Sequence, residues 1–191
     1  TEDLDRNEEE LAAGIEIAQA GNADLFVVGN ENLLRRDITE QQLLDYIARA
    51  KEAIPHGLPV TFVDAYFLFE QHPAVVDACD VISVNCYPFW ERCPADYSLL
   101  YMKEMYRRSV RAANGKKVII SETGWPTSGT AFGAAVPSYE NALEYFINTY
   151  TWAEEDDIDI FYFAAFDEAW KTGSEGDVGA YWGLWDTKGN L

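Results

Sequence analysis

Positive charge is scarce in this sequence. Only 14 lysines and arginines stand against 33 aspartates and glutamates, and the formal net charge is −19 at pH 7. Nucleic-acid binding needs a basic surface that neutralises phosphates, so the charge balance argues against a nucleic-acid partner. A neutral polymer remains compatible with such a surface.

Long apolar runs, cysteine and histidine are scarce as well. No stretch approaches the roughly 18 consecutive apolar residues typical of a membrane-spanning helix, so no membrane span is predicted. Three cysteines, Cys79, Cys86 and Cys93, are too few for a disulfide framework, and we expect buried or free thiols rather than a Cys86–Cys93 bridge. With two histidines and no CxxC motif, the sequence indicates no metal site and no cofactor.

Apolar strand patterns alternate with helical patterns along the chain. Helices are predicted from the caps Asn7 and Thr39, over a short irregular stretch near 70–79, from Tyr97 to Ala113 and from Ser138 to Glu154. Strands are predicted at 23–30, 60–65, 80–87, 117–121 and 158–166. The strands are nearly continuous apolar runs joined by long connections, which is typical of a buried parallel sheet. Without repeats or linkers, residues 1–191 are predicted to form a single α/β domain.

Polar and aromatic side chains follow the end of each predicted strand. They are Asn30 and Glu31, then Asp64 and Tyr66, then 85–90, then Glu122 to Trp125, and finally Asp167 to Lys171. Because the carboxyl ends of parallel strands form the sites of α/β proteins, we expect the functional site there. Asp64 and Asp167 have an alternative role, since either could hold a loop through backbone hydrogen bonds.

Glu31 and Glu122 are the two glutamates placed directly at strand ends. If the sheet closes into a barrel, they face each other, and two carboxylates in that relation are what glycoside cleavage requires. A separation of about 5–5.5 Å would indicate retention of configuration. Each glutamate alone could instead be a helix cap or an ion-pair partner. Aromatic residues at the same strand ends could offer flat faces to sugar rings: Tyr66, Tyr87, Phe89, Trp90, Trp125 and Trp170.

Four stretches carry a resemblance to a known family. FVVGNE (26–31), VISVNCYPFW (81–90), VIISETGWPT (118–127) and YFAAFDEAWK (162–171) resemble glycoside hydrolase family seventeen. That family contains β-1,3-glucanases and β-1,3-glucan transglycosylases with a retaining mechanism and a (β/α)8 TIM barrel. The resemblance implies β-1,3-glucan as partner and an extracellular, periplasmic or cell-wall location.

The resemblance also implies roles for individual residues. Glu31 would be the general acid/base and Glu122 the nucleophile. Asn30 would hold the sugar hydroxyl next to the reacting carbon, and Tyr87 would lie beside the nucleophile. The predicted substrate-binding residues are Asn30, Asp64, Tyr66, Tyr87, Trp125, Glu168 and Lys171.

The predicted strand count is lower than the eight of the family. The five strands would correspond to strands four to eight, and a (β/α)8 barrel usually takes about 250 residues. Because the chain also opens without Met, we expect an incomplete barrel, completed by a missing N-terminal segment or by a second chain. The inner-facing Phe26, Val28 and Phe163 would then be wetter than in a closed barrel, and the chain alone would be aggregation-prone and inactive.

Three functions are compatible with these patterns. Hydrolysis of β-1,3-glucan by double displacement is the leading hypothesis. Transglycosylation, in which a second sugar replaces water as acceptor, uses the same motifs. The third is a fragment that binds glucan without turnover.

Overall fold

Five strands form one sheet in the computed structural model, which describes residues 1–173 and 175–191. The strands are β1 (Phe26–Asn30), β2 (Val60–Ala65), β3 (Ile82–Asn85), β4 (Val118–Thr123) and β5 (Ile160–Tyr162). Their order is β1-β2-β3-β4-β5, and the pairs β1–β2, β2–β3 and β4–β5 are parallel. The α/β class and the five predicted strands are therefore confirmed, although β1, β3 and β5 are shorter than predicted.

Seven α-helices are found among the described residues. They are α1 (Leu4–Gln19), α2 (Asn32–Arg35), α3 (Glu40–Ala53), α4 (Leu68–Gln71), α5 (Pro73–Ala78), α6 (Ser98–Ala112) and α7 (Tyr139–Glu155). The irregular helix predicted near 70–79 is two short helices, which meet at His72 and Pro73. No helix in the described ranges combines the length and the apolar character needed to cross a bilayer.

One of the two predicted helix caps is confirmed by the structure. At α3, the Thr39 side chain accepts the Gln42 N–H, and the Gln42 side chain accepts the Thr39 N–H, which is the predicted capping box. The start predicted for α7 is right to within one residue, and the Ser138 side chain caps this helix by accepting the Asn141 N–H. The cap predicted at Asn7 is wrong, because α1 begins at Leu4 with the Asp3 side chain accepting the Arg6 N–H. Asn7 lies inside the helix, and its side chain bonds to Thr1 instead.

The chain divides into two compact units, and each has its own core. The first unit comprises Thr1–Asn85 and Arg107–Ile119. In it, α3 packs against β2 and buries Leu43, Ile47 and Ala50, whose helical spacing in the sequence predicts one apolar face. Phe26 is only 8 % exposed because its ring packs against Gly14 of α1, so the expectation that this side chain would be wet is wrong.

The second unit comprises Cys86–Tyr106 and Ile120–Leu191, and its core is aromatic. The Phe89 ring lies 5.4 Å from the Trp125 ring and 5.6 Å from the Trp182 ring, both edge-on. Such edge-to-face pairs add stability beyond the apolar area that they bury. Aromatic residues thus build a core here, and two of the aromatic residues predicted to face sugar rings, Phe89 and Trp125, are buried in it.

Two predicted interior positions are wrong, and the cysteine prediction is confirmed. The helical spacing of the sequence predicts that Val110 of α6 faces inward, but Val110 is 46 % exposed and the helix buries Met105. The apolar run of the fifth strand predicts that Phe161 lies in the barrel wall, but Phe161 is 62 % exposed. The three cysteines are free thiols, and burial raises the pKa of Cys79 to about 11.

Candidate active site

Glu31 lies in a tight turn at the end of β1. Its φ of 55° is left-handed, a conformation that costs a residue other than glycine about 1–3 kcal/mol and persists only when the surroundings impose it. The Glu31 N–H donates to the Val63 carbonyl at 2.8 Å, and the Glu31 carbonyl accepts the Arg35 N–H at 3.0 Å. Backbone bonds from β2 and α2 therefore hold Glu31 at the carboxyl end of the sheet.

The Glu31 carboxylate belongs to a polar cluster of the first unit. Its Oε1 accepts a hydrogen bond from Asn85 Nδ2 at 2.9 Å, and its Oε2 lies 3.3 Å from the Arg35 guanidinium. The same Asn85 nitrogen lies 3.1 Å from Asn30 Oδ1. The structure thus brings the predicted residues Asn30 and Glu31 together, with Asn85 orienting both side chains.

Asp64 is fully buried at the end of β2. Its Oδ2 accepts the Leu33 and Leu34 N–H groups at 3.1 and 3.3 Å, and its Oδ1 accepts the Ala65 N–H at 2.7 Å. Burial raises the pKa of Asp64 to about 6, with a smaller contribution from the Glu31 charge. The side chain presents no surface to a sugar, so the structure gives Asp64 the loop-holding role that the sequence left open.

Tyr66 also serves a structural cluster of the first unit. Its hydroxyl oxygen accepts a hydrogen bond from Arg108 Nη1 at 3.0 Å, and the guanidinium lies 4.8 Å from the ring centroid. Arg108 pairs in turn with Glu70. With 4 % of its surface exposed, Tyr66 packs inside the unit and offers no open face to a sugar ring.

Glu122 lies at the end of β4 in the second unit. The Tyr87 hydroxyl donates to Glu122 Oε2 at 2.9 Å, so the structure brings this predicted pair together. The turn that follows requires glycine at position 124, because a Cβ there would lie 2.0 Å from the Phe163 carbonyl oxygen. Close backbone packing thus explains the Thr-Gly-Trp turn after the glutamate.

Glu168 and Lys171 lie in the same unit as Glu122. Lys171 contacts the Phe163 ring, which in turn packs near the Tyr87 ring. The Lys171 ammonium lies 3.9 Å from the Phe163 centroid, 3.8 Å from Glu168 Oε2 and 3.3 Å from Glu175 Oε1. The Phe163 ring lies 6.4 Å from the Tyr87 ring. The predicted polar positions Glu168 and Lys171 are therefore part of one local arrangement with Tyr87.

Trp125 contributes to this unit from inside the core. It is 1 % exposed, and its Nε1 donates to the Val136 carbonyl at 3.0 Å. Buried in this way, the indole supports the loop after Glu122 and has no free face for a sugar. Trp170 is 77 % exposed and stands outside the core.

Comparison with protein-family models identifies the family of this chain. Residues 1–183 match the BtgE/BtgC glycoside hydrolase domain. The chain belongs to this glycoside hydrolase family. The resemblance read from the four sequence motifs is thereby confirmed.

Named relatives of this glycoside hydrolase domain are fungal. A glucan 1,3-β-glucosidase of Candida albicans is 31 % identical over 188 residues, covering 87 % of this chain and 61 % of the relative. A glucan 1,3-β-glucosidase of Saccharomyces cerevisiae is 29 % identical over 186 residues, covering 87 % and 59 %. The chain thus spans about three-fifths of the length of these relatives.

Solved structures support the fold. The family 17 β-1,3-glucanosyltransferase of Rhizomucor miehei is 34 % identical, with a TM-score of 0.89 over 98 % of this chain and 70 % of that enzyme. An active-site mutant of the same enzyme in complex with laminaritriose gives a TM-score of 0.88. The glycoside hydrolase domain therefore has the α/β fold of a TIM-barrel enzyme family, as predicted.

Two residues of the Glu31 cluster were missed by the sequence-based site prediction. The sequence places Asn85 only in the polar and aromatic run 85–90 at the end of the third strand, and its hydrogen bond to Glu31 depends on the β1–β2 and β2–β3 registers. Arg35 carried a weak signal, because a cation four residues after a glutamate on a helix tends to pair with it.

Proposed function

We propose that this chain is the catalytic part of a retaining glycoside hydrolase that acts on β-1,3-glucan, with Glu31 as general acid/base and Glu122 as nucleophile. The observation that carries the proposal is the Glu122 carboxylate, held at the end of β4 by the Tyr87 hydroxyl, in a member of a glycoside hydrolase family. Strand ends of this kind are where TIM-barrel enzymes place catalytic groups.

The proposed reaction has two steps. Glu31 gives its proton to the glycosidic oxygen while Glu122 attacks the anomeric carbon, which breaks the glycosidic bond and forms a glycosyl-enzyme ester. In the second step Glu31 takes a proton from water, the water oxygen attacks the anomeric carbon, and the ester to Glu122 breaks. The carboxyl separation of about 5–5.5 Å that this chemistry uses stays a prediction.

Supporting roles are proposed for four polar residues. The Tyr87 hydroxyl hydrogen-bonds Glu122 and fixes the direction of its attacking oxygen. Asn30 would hold the hydroxyl next to the reacting carbon, and Glu168 and Lys171 would bind sugar hydroxyls. Because Asp64, Tyr66 and Trp125 are buried, we propose structural roles for them in place of the predicted substrate contacts.

Transglycosylation is the second candidate function. It differs only in the second step, where a sugar hydroxyl takes the place of water. The observation in its favour is the 34 % identity to a β-1,3-glucanosyltransferase over nearly the whole chain. We also propose an extracellular, periplasmic or cell-wall location, which is supported by a relative named cell surface mannoprotein in Candida albicans.

Product analysis on laminari-oligosaccharides tests the proposal and separates the two candidates. The protein at its full natural length is incubated with a single oligosaccharide, and products are followed by chromatography and proton NMR. Shorter products in the β configuration support hydrolysis, whereas products longer than the substrate support transglycosylation. Initial α products would contradict the retaining mechanism, and binding without turnover would favour a glucan-binding role.

A further inference from the structure

The short helix after Glu31 is capped by a different strand. Glu31 occupies the N-cap position of α2, yet within the described residues its side chain makes no capping bond. An N-cap side chain normally accepts the N–H groups of the second or third helical residue. Here those groups belong to Leu33 and Leu34, and Asp64 Oδ2 of β2 accepts both.

The same strand also fixes the backbone of Glu31. The Val63 carbonyl accepts the Glu31 N–H at 2.8 Å, and the next residue along β2 supplies the cap. Two adjacent residues of β2 therefore hold the turn on both sides of the Glu31 Cα. These backbone contacts help to maintain the left-handed conformation of Glu31.

We propose that Asp64 is a positioning residue that keeps the Glu31 carboxylate directed toward Asn85 by occupying the helix donors that Glu31 would otherwise cap. This inference rests on the proposed role of Glu31 as acid/base. Without Asp64, two N–H groups at the start of α2 lose their acceptor, and the Glu31 side chain, which is at the N-cap position, is placed to rotate toward them. The Glu31 carboxyl group would then turn away from the orientation in which it can protonate a leaving group.

The experiment compares two leaving groups in the full-length protein. Cleavage of a laminari-oligosaccharide needs a proton from the general acid, whereas a dinitrophenyl β-laminaribioside has a leaving group that needs none. We expect Asp64→Ala to lower kcat for the oligosaccharide about 10–100-fold with KM within about twofold, since small misplacement of a catalytic group has effects of this size. For the aryl substrate, kcat/KM should change less than about threefold.

Two further variants complete the test. Asp80→Asn is the matched control, because Asp80 also accepts a backbone N–H of β2, that of Val60 at the opposite end of the strand. Both substrates should be cleaved by it at parent rates. Asp64→Asn keeps an oxygen that can accept the Leu33 and Leu34 N–H groups, so it should restore kcat to within about fivefold of the parent.

Each outcome decides the matter. Equal loss on both substrates would overturn the inference in favour of a general structural role, and a raised KM with unchanged kcat would do so in favour of substrate contact. If Asp64→Ala fails to fold, Asp64→Asn decides: a loss above about tenfold on the oligosaccharide overturns the inference, and near-parent kcat supports it. A parent protein that cleaves neither substrate contradicts the proposed function itself.

Discussion

Glu122 and Glu154 are both glutamates of the second unit, but their environments differ. The Glu122 carboxylate accepts a hydrogen bond from the Tyr87 hydroxyl, whereas the Glu154 side chain is exposed in the last turn of α7. We expect Glu122→Gln to lower kcat on laminarin by about a thousandfold or more, because an amide cannot form the glycosyl ester. Glu154→Gln makes the same chemical change at a control position and should leave kcat unchanged. Near-parent turnover by Glu122→Gln would remove Glu122 as nucleophile.

Asp64 makes the stability of the fold depend on pH. Its pKa rises from an ordinary value of 3.8 to about 6 in the folded state, mainly through burial, so the folded chain holds this proton more tightly than the unfolded chain. The contribution of Asp64 to the free energy of unfolding is therefore greatest below about pH 4 and falls as the pH rises through about 6, by up to about 3 kcal/mol.

Urea unfolding of the parent and of Asp64→Asn at about pH 4 and about pH 7 measures this dependence, because the amide does not titrate. The parent should lose stability relative to the variant on going to the higher pH. A relative gain for the parent would show that the three N–H bonds outweigh burial.

Gly124 is required by close packing of the backbone. A Cβ at this position would lie 2.0 Å from the Phe163 carbonyl oxygen, and backbone can move little to relieve the overlap. We expect Gly124→Ala to lower the free energy of unfolding by about 1–3 kcal/mol. Gly173→Ala is the control, because a Cβ there meets no atom within 4 Å among the described residues. Equal stability of the two variants in thermal unfolding would contradict this account.

At the scale of elements, the capping box of α3 isolates the contribution of one helix end. Thr39 and Gln42 satisfy each other's backbone N–H groups, and α3 packs against α1, α5, β1 and β2. We expect Thr39→Ala to reduce the free energy of unfolding by about 1 kcal/mol. Thr151→Ala, the same change in the exposed interior of α7, should be neutral or slightly stabilising because alanine favours helix. Chemical denaturation compares the two, and equal losses would argue against capping as the cause.

The elements also show how much of the fold the sequence could predict. Local chemistry was sufficient at Thr39, where a cap and an apolar period agree. It was insufficient at α1, because Asp3 and Asn7 are both good caps and nothing local favours the earlier one. Burial was harder still. Val110 fits the helical period of α6, yet whether a position is covered depends on what packs against the helix.

The sequence could predict that the candidate site lies at the strand ends, but it could not predict which side chains contact each other there. Glu31 and Glu122 could be proposed as a catalytic pair because each carboxylate lies at the carboxyl end of an apolar strand. The hydrogen bond from Asn85 to Glu31 joins residues 54 apart and depends on strand register. The burial of Trp125 could not be predicted for a related reason, since the same aromatic residue can face a sugar when it is open and pack in a core when it is enclosed.

At the scale of the whole molecule, the net charge of −19 predicts that an anionic substrate depends on salt and that a neutral substrate does not. Raising NaCl from about 10 to about 150 mM shortens the screening length from about 30 to about 8 Å. Laminarin is neutral, so its kcat/KM should change less than about twofold over this range. Carboxymethylated β-1,3-glucan is anionic and is repelled by the protein at low salt, so its kcat/KM should rise several-fold.

The two substrates control for each other in this experiment, because salt acts on the same protein in both. KCl at matched ionic strength should give the same result as NaCl, since the effect is one of screening. If kcat/KM for laminarin followed salt as steeply as that for the anionic glucan, charge repulsion would not be the cause. A change in folding stability would then be the better explanation, because self-repulsion at this net charge also weakens the compact state at low salt.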